Sequence, residues 1–170
     1  MIDLAENHPK PKYSFVGKFF HWSFLALFAY GIAKQVEDTN QLEDIFFLKS
    51  EIAFALVFLL FLAFRFFYMT KTQKTSLPDN TSRPQKVAAK LVHMSMYISL
   101  AGIACSGLLI GYFFWIGFKG SLIIKFLISI HEFFVSFTYL LVSVHILAAI
   151  YHRLKKDNVW SSMVPFWKEE

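Results

Sequence analysis

The chain has 170 residues, of which 56% are hydrophobic, 19% aromatic and only 17% charged, with a formal net charge of +5 at pH 7. A water-soluble domain of this length would not usually hold so many apolar residues, so the composition places the chain among membrane proteins. The single cysteine, Cys105, excludes an internal disulfide and a cysteine-based zinc or iron–sulfur site. The basic residues lie at the ends of apolar segments, which indicates membrane topology and not nucleic-acid binding.

Four apolar segments follow one another along the chain, and each has the 20 or so residues that a helix needs to cross about 30 Å of hydrocarbon. The predicted helices are residues 13–33, 45–69, 87–112 and 122–151. An acidic connection follows the first helix, a polar linker with Pro78 and Pro84 follows the second, and a turn rich in glycine and aromatic residues follows the third. The sequence therefore predicts an all-α, four-helix transmembrane bundle, built as a single domain over residues 1–170.

The distribution of lysine and arginine predicts the orientation of the bundle. Most of the 17 basic residues flank the start of helices 1 and 3 and the end of helices 2 and 4, among them Lys10, Lys12 and Lys74. Both termini are therefore expected in the cytoplasm, in a multi-pass protein of the bacterial inner membrane. Residues 1–18 show no short apolar core with a cleavage site, so insertion through the helices themselves is expected.

Histidines form a stripe on helix 4. His131 and His145 are 14 residues apart, which on a helix is roughly 21 Å along the axis. Their side chains point in directions about 40° apart, so they lie on one face, and His152 lies on the same face. The predicted orientation places His21, His93 and His145 in the inner half of the membrane, with His152 at its inner surface, and His131 alone near the outer surface.

Ionisable groups inside a membrane are costly and usually face a bundle interior, a cavity or a cofactor. Neutral imidazole is a good axial ligand for haem iron, and helix bundles build such sites from facing side chains. His21 and His145 could hold a b-type haem in the inner layer. A single intramembrane histidine often only bonds one helix to another, and a closed zinc or copper site needs ligands close together, whereas these spread along the whole membrane.

The ordered set of residues resembles the prokaryotic cytochrome b561 family and, more distantly, the cytochrome b subunits of formate dehydrogenases and nickel–iron hydrogenases. The residues that carry the resemblance span about 13–165: Tyr13-Ser14, His21-Trp22, Gly31, Arg65, His93, Tyr97, Gly107, His131-Glu132, His145, His152, Lys156-Asp157-Asn158 and Met163-Val164-Pro165.

The resemblance implies two haems b stacked across the membrane, the inner one held by His21 and His145. The outer haem would be held by His131 and a histidine of helix 2, but Glu51 stands at that position. Three alternatives are open: the outer haem is absent, His131 alone holds it with an open or unusual sixth position, or Glu51 is a weak oxygen ligand. Glu51 could instead pair with Lys49 or His131.

Further polar residues are expected near the inner haem edge. They are Arg65, His93, His152 and Arg153. The arginines could pair with haem propionates, since charge-assisted bonds to carboxylate favour arginine. In the family a quinone approaches here, and His93 or His152 could bond its oxygen and pass protons. The alternative is that these side chains only extend to the headgroups.

The resemblance implies a membrane electron-transfer protein, an oxidoreductase if its haem chain is complete, that exchanges electrons between a quinone and a second partner. That partner could be a reductase subunit, a periplasmic donor or superoxide, and a homodimer is a further possibility. A second hypothesis is a single-haem subunit, sensor or assembly partner of a larger redox complex. A third, a transporter of protons or metal without haem, lacks visible inverted repeats and carboxylates in the membrane interior.

Overall fold

The structure, a computed structural model, describes residues 13–72 and 77–168. Lys10, Lys12 and Lys74 of the predicted basic side lie outside the described residues. The helices are α1 (Phe15–Ala33), α2 (Ile45–Thr72), α3 (Arg83–Trp115), α4 (Leu122–Lys155) and the short α5 (Val159–Met163), with a 3₁₀ turn at Thr39–Glu43 between α1 and α2. No strand occurs in the described ranges, so the predicted all-α class is confirmed.

The long helices begin and end where local chemistry satisfies their backbone groups. Ser14 accepts a hydrogen bond from the Gly17 amide at 3.0 Å at the start of α1, and Ser121 does the same for α4. Helix α3 begins at Arg83, earlier than the predicted residue 87, because Ser82 and Pro84 suit the position before a helix and its first turn. The predicted start at residue 87 is the start of the apolar block, and the first turn of α3 is polar and precedes that block.

Four of these helices, α1 to α4, are long and apolar enough to cross a membrane. Their large apolar side chains are widely exposed, for example Phe15 at 83% and Leu122 at 84%. On a soluble protein such a surface would be unstable, whereas in a bilayer it contacts lipid. The predicted four-span transmembrane bundle is therefore confirmed.

Sequential helices pack as antiparallel neighbours. The closely packed pairs are α1 with α2, α2 with α3, α3 with α4, and α4 with α5, whereas α1–α4 and α2–α4 are not among them in the described residues. The indole of Trp22 donates to the Met163 carbonyl at 3.3 Å, which brings the start of α1 to the end of the chain. We call this end of the bundle inner and the opposite end, with the 3₁₀ turn, outer.

The α3–α4 interface is the tightest contact with α4. A Cβ added to Gly102 would lie 2.6 Å from the ring of Phe134, so only glycine allows this approach without a shift. Beside it, Ser99 and Thr138 are fully buried and share a hydrogen bond of 2.6 Å, and Ser99 also donates to the Phe134 carbonyl at 3.0 Å. These contacts fix the rotation of α4 and hence the direction in which its histidine stripe faces.

Candidate functional site

All four spanning helices contribute a polar side chain to one group at the inner end, in which three side chains are half-buried and His93 is exposed. This inner cluster consists of His21 from α1, Arg65 from α2, His93 from α3 and His145 from α4. The ring centres of His21 and His145 are 6.5 Å apart, and those of His93 and His145 are 5.1 Å apart in an edge-on contact. The structure thus brings together the predicted axial pair and two of the four residues expected beside it.

The distances separate possible ligand pairs from packing contacts. Metal–imidazole bonds of about 2 Å on both sides, with roughly 1 Å from nitrogen to ring centre, place the ring centres of a bis-imidazole complex about 6 Å apart. The His21–His145 separation of 6.5 Å matches this spacing. The His93–His145 separation of 5.1 Å is too short for a metal between the rings. The inner cluster therefore fits one axial pair, with His93 outside it.

Arg65 is the cation of the inner cluster. Its Nη2 donates to His21 Nδ1 at 3.1 Å, and its guanidinium carbon lies 5.3 Å from the ring centre of Phe24 and 5.5 Å from that of Tyr97. Its buried Nε has no hydrogen-bond partner among the described residues. Because a buried donor on a charged group is costly when unpaired, this atom suits an anionic group such as a haem propionate.

Arg65 also determines which nitrogen of His21 carries a proton in this arrangement. A guanidinium can only donate, so the Nδ1 of His21 accepts, and the proton of the neutral ring is on Nε2. Ligation through Nε2 requires that proton to move to Nδ1 and the guanidinium to turn away. A carboxylate that pairs with Arg65 would drive that change.

A cavity of about 430 Å³ lies in the outer half of the bundle. Its lining comes from α1, the 3₁₀ turn and helices α2 to α4 and is mostly apolar, with His131, Glu51 and Lys34 among its polar members. Gly107 also lines this cavity, and a Cβ added there would lie 3.5 Å from His131 Cε1. The lack of a side chain at Gly107 leaves space beside this imidazole. We call this space the outer cavity.

Glu51 is paired, but not with the partners expected from the sequence. Its Oε1 lies 2.9 Å from the Lys34 ammonium, although without good hydrogen-bond geometry, and Lys34 also donates to Ser50 Oγ at 3.3 Å. The expected pairing with Lys49 or His131 is wrong, because the Lys49 ammonium lies 5.6 Å from the ring centre of Trp115 and His131 bonds Ser106. A carboxylate bound to an ammonium is a poor candidate for an iron ligand.

His131 is held by a side chain that sequence reasoning did not single out. Its Nδ1 lies 3.0 Å from Ser106 Oγ, and the Ser106 hydroxyl bonds the Gly102 carbonyl at 2.6 Å. A serine inside an apolar run is a weak signal by itself. Only the packing of α3 on α4 shows that it faces the histidine.

Two of the residues expected at the inner haem edge contact the C-terminal segment instead. His152 Nδ1 lies 2.7 Å from Asp157 Oδ2, and Arg153 donates to the Trp167 carbonyl at 2.9 Å with its guanidinium over the ring of Trp160. The structure does not bring His152 and Arg153 into the inner cluster.

Comparison with known families agrees with the resemblance seen in the sequence. The family model described as prokaryotic cytochrome b561 matches residues 12–166, which is nearly the whole chain. Neither the curated proteins nor the solved structures give a significant match. With four helices able to cross a membrane, the chain belongs to the prokaryotic cytochrome b561 family and is a multi-pass inner-membrane protein of the class that binds haem b and transfers electrons.

Proposed function

We propose that the inner cluster binds one haem b through His21 and His145 and exchanges electrons with a quinone at the inner end of the bundle. The observation that carries the proposal is the 6.5 Å between the two imidazole centres, on helices that are not closely packed against each other. When bound, the haem supplies a one-electron redox centre. The two imidazoles hold it from α1 and α4.

Arg65 and His93 complete the site around that pair. The guanidinium of Arg65, with its unpaired Nε, would bind a carboxylate of the haem. His93 lies against His145 at 5.1 Å and offers an imidazole beside the ligand pair, where it bonds a quinone oxygen and moves a proton. His152 and Arg153 hold the C-terminal segment at the entrance of this site.

The basic residues of the inner end favour cytoplasmic termini, so quinone exchange takes place in the inner leaflet. Superoxide gains little long-range attraction at the outer end, because Glu51 offsets the charge of Lys34 and Glu43 lies 3.6 Å from Lys119. A redox protein that docks on the chain is the better second partner. The Lys34–Glu51 pair also favours the second candidate function, a subunit of a larger redox complex without transmembrane electron transfer, because it keeps the Glu51 carboxylate from acting as a second outer ligand.

Alanine variants of the two ligands test the inner site. His21→Ala and His145→Ala remove the low-spin haem, as measured by pyridine haemochrome per polypeptide and by oxidised and reduced spectra of the purified protein. His93→Ala keeps that haem and slows its reduction by a quinol. His152→Ala is the matched control at the same end of the bundle and keeps the haem spectrum. A normal low-spin spectrum in both ligand variants would show that other residues hold the haem.

A further inference from the structure

The hydrogen bonds of Ser106 favour one tautomer of His131. A hydroxyl has one proton, and Ser106 gives it to the Gly102 carbonyl at 2.6 Å. Ser106 Oγ also lies 3.1 Å from the Ile103 carbonyl, so its proton has two backbone acceptors and its lone pair is available to His131 Nδ1–H at 3.0 Å. In that arrangement the Nε2 of the neutral ring keeps its lone pair. This is the arrangement of a metal-ligating histidine, whose second nitrogen donates to a fixed acceptor. His131 is prepared as a ligand in a way that His21 is not.

Among the described residues that line the outer cavity, His131 is the one histidine, and the carboxylates are Glu37, Glu51 and Glu132. Glu51 is the α2 residue at the position where the family has its second histidine, and the Lys34 ammonium holds its carboxylate at 2.9 Å. Lys34 is itself fixed, since it bonds Ser50 and lies 5.5 Å from the ring centre of Phe54. Ligation of iron by Glu51 would require this ion pair to separate in an apolar cavity, which is unfavourable.

The donor set of the outer cavity thus fits a haem held from one side and does not fit a bis-imidazole haem. We propose that the outer cavity takes a haem b through His131 alone and leaves the sixth coordination position open to a small exchangeable ligand. This inference rests on the proposed haem binding of the chain, and it adds a ligand-binding site to an electron carrier. The mostly apolar lining of the cavity admits neutral diatomic ligands, and Lys34 in that lining offers a donor to a small anion.

Lys34 gives this site a preference among ligands. Its ammonium lines the outer cavity and is a strong hydrogen-bond donor, so an anionic ligand gains more from it than a neutral one. Lys34→Met removes this donor and leaves the Glu51 carboxylate uncompensated, so cyanide binding is expected to weaken about tenfold. Carbon monoxide, which is neutral, should bind with less than about a twofold change.

The test uses the purified, haem-loaded protein with carbon monoxide and cyanide as probes. Wild type should contain two haems per polypeptide, one low-spin and one high-spin, and only the high-spin haem should bind carbon monoxide after reduction. Glu51→His should convert the second haem to low-spin and abolish carbon monoxide binding. Glu43→His makes the same change on an exposed side chain outside the outer cavity and should leave the spectra unchanged. His131→Ala should remove the carbon monoxide-binding haem and keep the low-spin one.

The outcomes distinguish this inference from the proposed function. Two low-spin haems in wild type, or carbon monoxide binding that survives His131→Ala, would overturn the inference. A single low-spin haem without a high-spin partner would also overturn it and leave the inner site intact. Absence of any haem would overturn both. Retention of the low-spin spectrum in the Glu51 and His131 variants shows that each has folded.

Discussion

The close approach of α3 and α4 gives a quantitative prediction from two glycines on one helix. Alanine at Gly102 would place its Cβ 2.6 Å from Phe134 ring atoms, whereas at Gly107 the nearest atom is His131 Cε1 at 3.5 Å, an ordinary contact. Both substitutions gain up to about 1 kcal/mol of helix propensity. Only Gly102→Ala carries the cost of overpacking, about 1–3 kcal/mol. Gly102→Ala should therefore be the less stable of the two variants by about 1–3 kcal/mol.

Thermal unfolding in detergent micelles, followed by near-ultraviolet circular dichroism, measures this difference. For a chain of this length each kcal/mol corresponds to about 2–4 °C in Tm, so the two variants should differ by roughly 2–12 °C. Gly107→Ala should equal or exceed wild type. Equal Tm values for the two variants, or a higher one for Gly102→Ala, would refute the argument that the α3–α4 contact fixes the position of α4.

Three further predictions concern polar contacts at different depths. Thr138→Val removes the 2.6 Å bond to Ser99 and should destabilise the bundle by about 0.6 kcal/mol and at most about 1.7, measured by unfolding in mixed micelles. Arg65→Met removes a cation beside His21 and should lower the midpoint potential of the inner haem, because a nearby positive charge favours the reduced iron. Potentiometric titration measures this, and Arg65→Lys, which keeps the charge, should shift less. Asp157→Ala removes the carboxylate that pairs with His152 and accepts a hydrogen bond from the Val159 amide. Limited proteolysis should then cut the C-terminal segment faster while the haem spectrum stays unchanged.

Depth along the helices could be predicted from the sequence, and lateral neighbours could not. His21 and His145 meet because a four-span topology puts the start of helix 1 and the end of helix 4 at one level. The depth of a residue follows from residue counts and the rise of a helix alone, whichever faces pack, so His21 and His145 could be assigned to one layer from the sequence.

The partner of Glu51 shows where this reasoning fails. Lys49 is two residues before Glu51, and residues two apart on a helix do not face each other. Lys34 lies across the connection between α1 and α2, and only the return path through the 3₁₀ turn brings it within 2.9 Å. Ser106 and His131 are likewise distant in sequence and adjacent in space. Such pairs depend on how one helix is rotated against another. Close contacts, such as that between Gly102 and Phe134, determine this rotation.

The inner cluster and the outer cavity are related by the same residue spacing on α2 and on α4, but the side chains at these positions differ in chemistry. Glu51 and Arg65 on α2 are 14 residues apart, as are His131 and His145 on α4, so each pair returns to nearly the same face of its helix about 21 Å further along. At the inner layer α2 presents a cation with an unpaired nitrogen, which suits the carboxylates of a haem held by α1 and α4. At the outer layer α2 presents a carboxylate paired with Lys34, the residue that follows α1, so α4 is left as the source of an imidazole ligand. The proposed inner ligand pair, His21 and His145, does not depend on α2, whereas the proposed chemistry of the outer layer depends on the residue that α2 presents at position 51.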